Sequence, residues 1–103
     1  MTTVTVALVN GRIRTNDARR PMADAVAIAG EHVALVGSSA EVRKFAGPAA
    51  RVIDLRGAIV EPEPAEALLR RGAPANVVVR AAPGERAELL RMHAGRIIAD
   101  DFA

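Results

Sequence analysis

Two histidines, His32 and His93, and two serines, Ser38 and Ser39, are the side chains on which metal or nucleophilic chemistry would have to be built. A structural zinc site draws four ligands and a catalytic one three, so the histidines would need carboxylates such as Asp54 or Asp100 from elsewhere in the fold. Hydrogen-bonded or solvent-facing turn histidines are the simpler account. "VGSSA" lacks the Gly-x-Ser-x-Gly elbow that presents a nucleophile, and Ser38 has another task available as a helix cap. Asp54, Glu61, Glu63, Asp100 and Asp101 could supply an acid–base pair. Glu61 and Glu63, however, flank Pro62 without the long apolar surround that would raise a carboxyl pKa, so surface charge explains them better. "GSS", "GPA" and "APGE" lack the spacing of phosphate loops. These residues by themselves assign no catalytic, cofactor-binding or metal-binding position, and no cofactor.

Composition narrows the classes further. The chain has 103 residues, half of them apolar and a quarter charged, which suits one modest core and excludes a disordered polymer. Aromatic platforms for bases are nearly absent, since Phe45 and Phe102 are the only aromatics. Fourteen basic and twelve acidic residues leave a net charge of +2. A nucleic-acid surface would need Arg19-Arg20 and Arg70-Arg71 to converge in space, and no nucleic-acid partner is expected. With no cysteine, disulfide and thiolate chemistry are excluded. The sequence contains no 18-residue apolar run and no basic start followed by an apolar signal core, so no membrane association and a cytoplasmic location are expected.

The elements that must position these residues are mostly short strands. "TVTVALV" (3–9) ends at Asn10-Gly11, a signal for a tight hairpin into "RIRT". "AVAIAG" (25–30) and "HVALVG" (32–37) are expected to pair across Gly30-Glu31, giving an antiparallel or mixed sheet. Ser38 and Glu41 have capping-box spacing, so a short helix should follow and stop at Gly47-Pro48. "ARVIDL" (50–55), "AIV" (58–60), "ANVVVRA" (75–81) and "GRIIA" (95–99) complete the strands, the three valines suggesting a strand covered on both faces. Two further helices are expected. One spans 63–71, with Pro64 in its first turn, Glu63 and Glu66 at its positive end and Arg70-Arg71 at its negative end, pressing Leu68 and Leu69 on a sheet. The other spans 84–91, with Leu89 or Leu90 inward. "LVNGRIRT" echoes "MHAGRIIAD" and could mark two corresponding hairpin corners.

In this order, "ALVNGRIRT…ADAVAIAGEHVALVGSSAEVRKFAGPAARVIDLRGAIVEP" resembles the N-terminal segment of the amidohydrolase superfamily. These metal-dependent hydrolases include cytosine deaminases, dihydroorotases, imidazolonepropionases and N-acyl amino-acid deacetylases. The resemblance covers residues 8–62, and "LLRRGAPANVVVRA…HAGRIIAD" (68–99) is similar to the family's C-terminal return. It implies a mainly β fold with short helices: a composite β-sandwich like the small domain of amidohydrolases. The expected domain runs 1–103, with 1–62 supplying the N-terminal strands and short helix and 63–103 the connecting helix and C-terminal strands.

The departures from the pattern bear on mechanism. In the family, the strand matching 58–60 continues Pro-Gly-(Phe/Leu)-(Ile/Val)-(Asp/Asn)-x-His-x-His, and those histidines begin the metal site. Here Pro62 is followed by Glu63-Pro64-Ala65-Glu66. No family catalytic residue transfers, and Asn76 stands where Asp is usual. The expectation is therefore a truncated, barrel-less sandwich with a structural or accessory role and a hydrolase family label, inactive by itself. It could form a homodimer through an uncovered apolar sheet face. The alternatives are a small-molecule or protein binding module using the Arg19-Arg20 loop or residues 80–88, its ligand unspecified, and a metal-dependent hydrolase completed by another chain.

Overall fold

The computed structural model describes residues 3–101; residues 1–2 and 102–103, the ends of the expected domain, lie outside the described residues. Its strands are β1 (Val6–Val9), β2 (Arg12–Arg14), β3 (Met22–Ala23), β4 (Ala25–Ala29), β5 (His32–Gly37), β6 (Arg51–Asp54), β7 (Ile59–Pro62), β8 (Val77–Arg80), β9 (Leu90–His93) and β10 (Arg96–Asp100). One helix, α1 (Ser39–Ala46), lies between β5 and β6. The strands form a four-stranded sheet, β5-β4-β1-β6, and a six-stranded sheet, β10-β9-β8-β7-β2-β3. Both are mixed, and the fold is mainly β, consistent with a β-sandwich. No described helix is long and apolar enough to cross a membrane.

Alternation along each strand decides which side chains meet. Val6 and Leu8 of β1 point into a core shared with Val26, Ile28, Ile13, Val60, Val77, Leu90 and Met92 from both sheets. Their neighbours Ala7 and Val9 point the other way, into a second cluster with Ala25, Ala27 and Val42 under α1. All three β8 valines are buried, as the apolar run predicts. The helix starts as its sequence dictates: Ser38 Oγ accepts the Glu41 amide at 3.1 Å, and the Glu41 carboxylate accepts the Ser38 amide at 3.0 Å. Gly47, at φ 75°, ends it.

Asn10-Gly11 does not close the expected hairpin. Asn10 has the predicted positive φ, but β1 belongs to the four-stranded sheet and β2 to the six-stranded one. The chain turns a corner between sheets, and the β6-to-β7 link at Arg56-Gly57 turns alongside it. β1 and β6 are parallel before the corner, and β2 and β7 are parallel after it. Amides bind across the pair: Leu55 N–H to Val9 O at 2.8 Å, Gly57 N–H to Asn10 O at 2.8 Å, Arg12 N–H to Ala58 O at 2.9 Å. A Cβ on Gly11 would fall 2.3 Å from Leu55 Cδ1, so the corner's glycine is required by this close approach. The echo at Ala94-Gly95 is a true hairpin between β9 and β10. The two similar sequences therefore occupy different kinds of turn.

The helices expected at 63–71 and 84–91 are absent. Residues 63–76 form an irregular connection from β7 back to β8, which are antiparallel neighbours. Its polar backbone is satisfied by other elements rather than by an internal helical ladder. Asn16 Nδ2 donates to Ala65 O at 2.7 Å and Ala67 O at 2.8 Å, and the Leu69 amide donates to Thr15 O at 2.8 Å. Farther on, Gly72 N–H bonds Val33 O and Val33 N–H bonds Ala73 O, each at 2.8 Å, along the outer edge of β5. Leu69 enters the shared core, whereas Leu68, expected beside it, is 40% exposed. In the second region Pro83-Gly84 makes a turn and Leu90 begins β9. Leu90 and Met92 are buried between half-exposed Arg91 and exposed His93, a period of two that the Leu89-Leu90 pair and the Glu88–Arg91 spacing obscure.

Candidate functional site

His32 opens β5 and His93 closes β9; both are exposed. The turns beside them are packed together, since a Cβ on Gly95 would lie 1.8 Å from Gly30 O. The two imidazoles thus sit at the same end of the sandwich. Yet among the described residues no group of three His, Asp or Glu side chains has the geometry to hold a metal. Asp54 and Asp100, the carboxylates considered with them, are placed elsewhere. Asp54 ends β6, where its Oδ1 accepts the Arg56 amide at 3.0 Å. Asp100 pairs with Arg51 at the other end of the same strand, at 3.1 Å. The donor set does not fit the metal that the family resemblance implies.

The remaining polar candidates have structural tasks. Ser38 caps α1, and Ser39 Oγ accepts the Asn10 amide at 2.9 Å, tying the helix to the sheet corner. Hydrogen bonds from the Arg56 amide and then the Asn10 side chain hold the Asp54 carboxyl below its ordinary range. Asn76, at the position where the family has Asp, uses Oδ1 to accept the Ala94 amide at 2.7 Å, supporting that residue's positive φ. Asp101 is exposed, and its amide donates to Leu89 O at 2.7 Å.

Glu61 and Glu63 belong to an ionic layer on the outside of the six-stranded sheet. Glu61 accepts from Arg14 and Arg80, each at 3.0 Å. Glu63 pairs with Arg91, which also binds Glu88; Arg80 approaches Glu88 at 3.8 Å. Register explains the grouping, because Glu61, Val78 and Arg91 lie opposite one another on β7, β8 and β9. The Arg91 hydrogen bonds lower the Glu88 carboxyl, and those with Glu88 raise the Arg91 guanidinium. Glu88 is thereby held ionised, the opposite of what a general acid needs.

The arginine pairs converge in part. Arg20, Arg70 and Arg71 line a depression of about 200 Å³ together with Leu35, Val36 and the buried Leu69. Thr15 and Asp17 complete its rim. Thr15 is 1% exposed; its hydroxyl donates to Arg20 O, and its carbonyl anchors Leu69. One buried threonine therefore sets both arginine-bearing segments against each other. Arg20 Nη1 also donates to Val36 O at 3.3 Å, while Arg70 and Arg71 have no ion pair or side-chain hydrogen bond among the described residues. Sequence reasoning considered the arginine pairs but missed Thr15; the only available signal was a threonine at the end of the strand expected at "RIRT", five residues before Arg20.

No protein-family model matches the chain. Among curated proteins, the N-substituted formamide deformylase of Arthrobacter pascens is 44% identical over 55 residues, which is 53% of this chain and 10% of that protein. Among solved structures, an uncharacterized metal-dependent hydrolase from Pyrococcus furiosus superposes with a TM-score of 0.50 at 33% identity, covering 55% of this chain and 12% of that one. The chain spans about a tenth of the length of each relative. Over roughly half of its own length it is related to metal-dependent, amidohydrolase-like hydrolases.

Proposed function

We propose that the chain acts as a non-catalytic sandwich module of the amidohydrolase type, a single composite domain with a structural or accessory role. The observation that carries this reading is the joint between β7 and β8. At the point where the resembled family leaves its sandwich for the metal-binding barrel, residues 63–76 lead straight back to the adjacent strand. Leu69, on that connection, is built into the core. The two histidines and the carboxylates considered with them do not supply three donors for a metal within this chain. Hydrolysis would require donors from outside these residues.

The test is metal analysis of the purified 103-residue chain after dialysis, together with its mass in solution and an assay of N-substituted formamide hydrolysis. Substoichiometric metal and no turnover above buffer are expected. Tightly held stoichiometric zinc, or turnover abolished by a chelator and restored by zinc, would overturn the reading.

A further inference from the structure

The depression between the 15–20 loop and the 69–71 segment combines features that point to a ligand class. Three guanidinium-bearing side chains from two distant segments line it, and two of them, Arg70 and Arg71, are not neutralised by any described carboxylate. Leu35 and Val36, both partly exposed, supply apolar surface on the same concavity, and buried Leu69 lies beneath it. Arg71 also lines two neighbouring depressions, one with His32 and Phe45 and one with Leu68 and Pro74, so it can turn toward a ligand from a ridge rather than a flat face. Asp17 is the opposing charge. Its Oδ1 accepts the Arg19 amide at 3.0 Å, which commits that oxygen to the loop.

We infer that this depression binds a small amphiphilic oxyanion, a carboxylate or phosphate monoester carried on a short aliphatic body. The planar donor fork of arginine matches two oxygens of either head group, and the leucine and valine wall takes the aliphatic part. The volume, about 200 Å³, is below that of ordinary cofactor pockets. No aromatic lines it, so neither base stacking nor a planar ring is served. This site stands apart from the accessory role proposed above; either can fail without the other.

The test is a methyl and amide NMR titration of the full chain at constant ionic strength with butyl phosphate, butyrate and inorganic phosphate. Saturable shifts confined to Leu35, Val36, Leu69 and Thr15 are expected with butyl phosphate or butyrate, and weaker binding of inorganic phosphate. Arg70→Gln combined with Arg71→Gln should weaken binding by about tenfold or more, since hydrogen bonds to charged groups carry that order of free energy. Arg20→Gln should cost less because Arg20 already donates to Val36 O. Arg43→Gln on α1 should change nothing. The unliganded spectra report whether each variant is folded, and the Arg20 variant tests the site from the other segment if the double variant is not. Binding of neither organic probe, shifts spread equally to Arg43, indifference to the arginine substitutions, or inorganic phosphate binding as tightly as butyl phosphate would each overturn the inference.

Discussion

The outer faces of the two sheets are protected from water in different ways. On the four-stranded sheet, Ala7, Val9, Ala25 and Ala27 are small enough for α1 to lie close, and Val42 of the helix fills the layer between them. On the six-stranded sheet no helix follows; Glu61, Arg80, Glu88 and Arg91 lie over Val78, leaving it only 3% exposed. Apolar contact area stabilises the first face at roughly 25 cal/mol per Å² buried. The second is held by partly exposed ion pairs, which contribute little net free energy because water solvates the separated ions well. The long arginine stems exclude water from the valine while their heads stay wet. Similar burial of the strand residues thus rests on unequal energies.

Substitutions should expose that inequality. Ala27→Arg would force a charge beneath α1 with no partner, and a loss on the order of 4 kcal/mol is expected, read as failure to fold or a collapsed urea midpoint. Val42→Ala leaves the layer intact but underfilled, for a loss of about 2 kcal/mol by chemical denaturation. Ser38→Ala removes half of the reciprocal cap and should cost about 1 kcal/mol, with α1 amides gaining hydrogen-exchange rate before those of β4.

The smallest change is expected on the ionic face, from Glu88→Gln, and it should depend on pH. The Glu88 carboxyl lies below its ordinary 4.5 in the folded chain because Arg91 binds the ionised form. The unfolded chain therefore takes up that proton first as pH falls. The contribution is present above about pH 4.5 and is lost as pH drops through the folded-state value. Wild type and variant should differ slightly at neutral pH, less at high salt, and converge in strongly acidic solution. Equal losses from Glu88→Gln and Val42→Ala would break the comparison between the faces.

The helix cap, the β4–β5 hairpin and the buried valine strand were legible because local chemistry determines them: a reciprocal side-chain bond, a Gly-Glu turn, and three adjacent apolar residues. The sheet corner was half legible. Asn10-Gly11 announces positive φ, but whether the next strand folds back or changes sheet depends on Leu55 approaching Gly11 from a segment far along the chain. The 63–71 stretch carries helix-terminus signals at both ends, yet tertiary bonds with Asn16 and Thr15 hold its backbone in an irregular path. The two-residue β3 carried too little pattern to see, and β9 was hidden by charge spacing that suits a helix equally. At the candidate site the arginines were visible as pairs. Their convergence was not, because it depends on Thr15 bonding both segments across the fold.

The strip of backbone at residues 72–75 that bonds the rim of β5 has a consequence for assembly. A sheet open on both sides can add chains indefinitely and grow a fibre. Here the start of β5 is covered, with the Val33 carbonyl and amide bonded by Gly72 and Ala73 and Glu31 just before it bonded by Ala75, whereas among the described residues β6 pairs only with β1. Strand addition is therefore hindered where β5 begins, and the rim of β6 is the less protected side of this sheet.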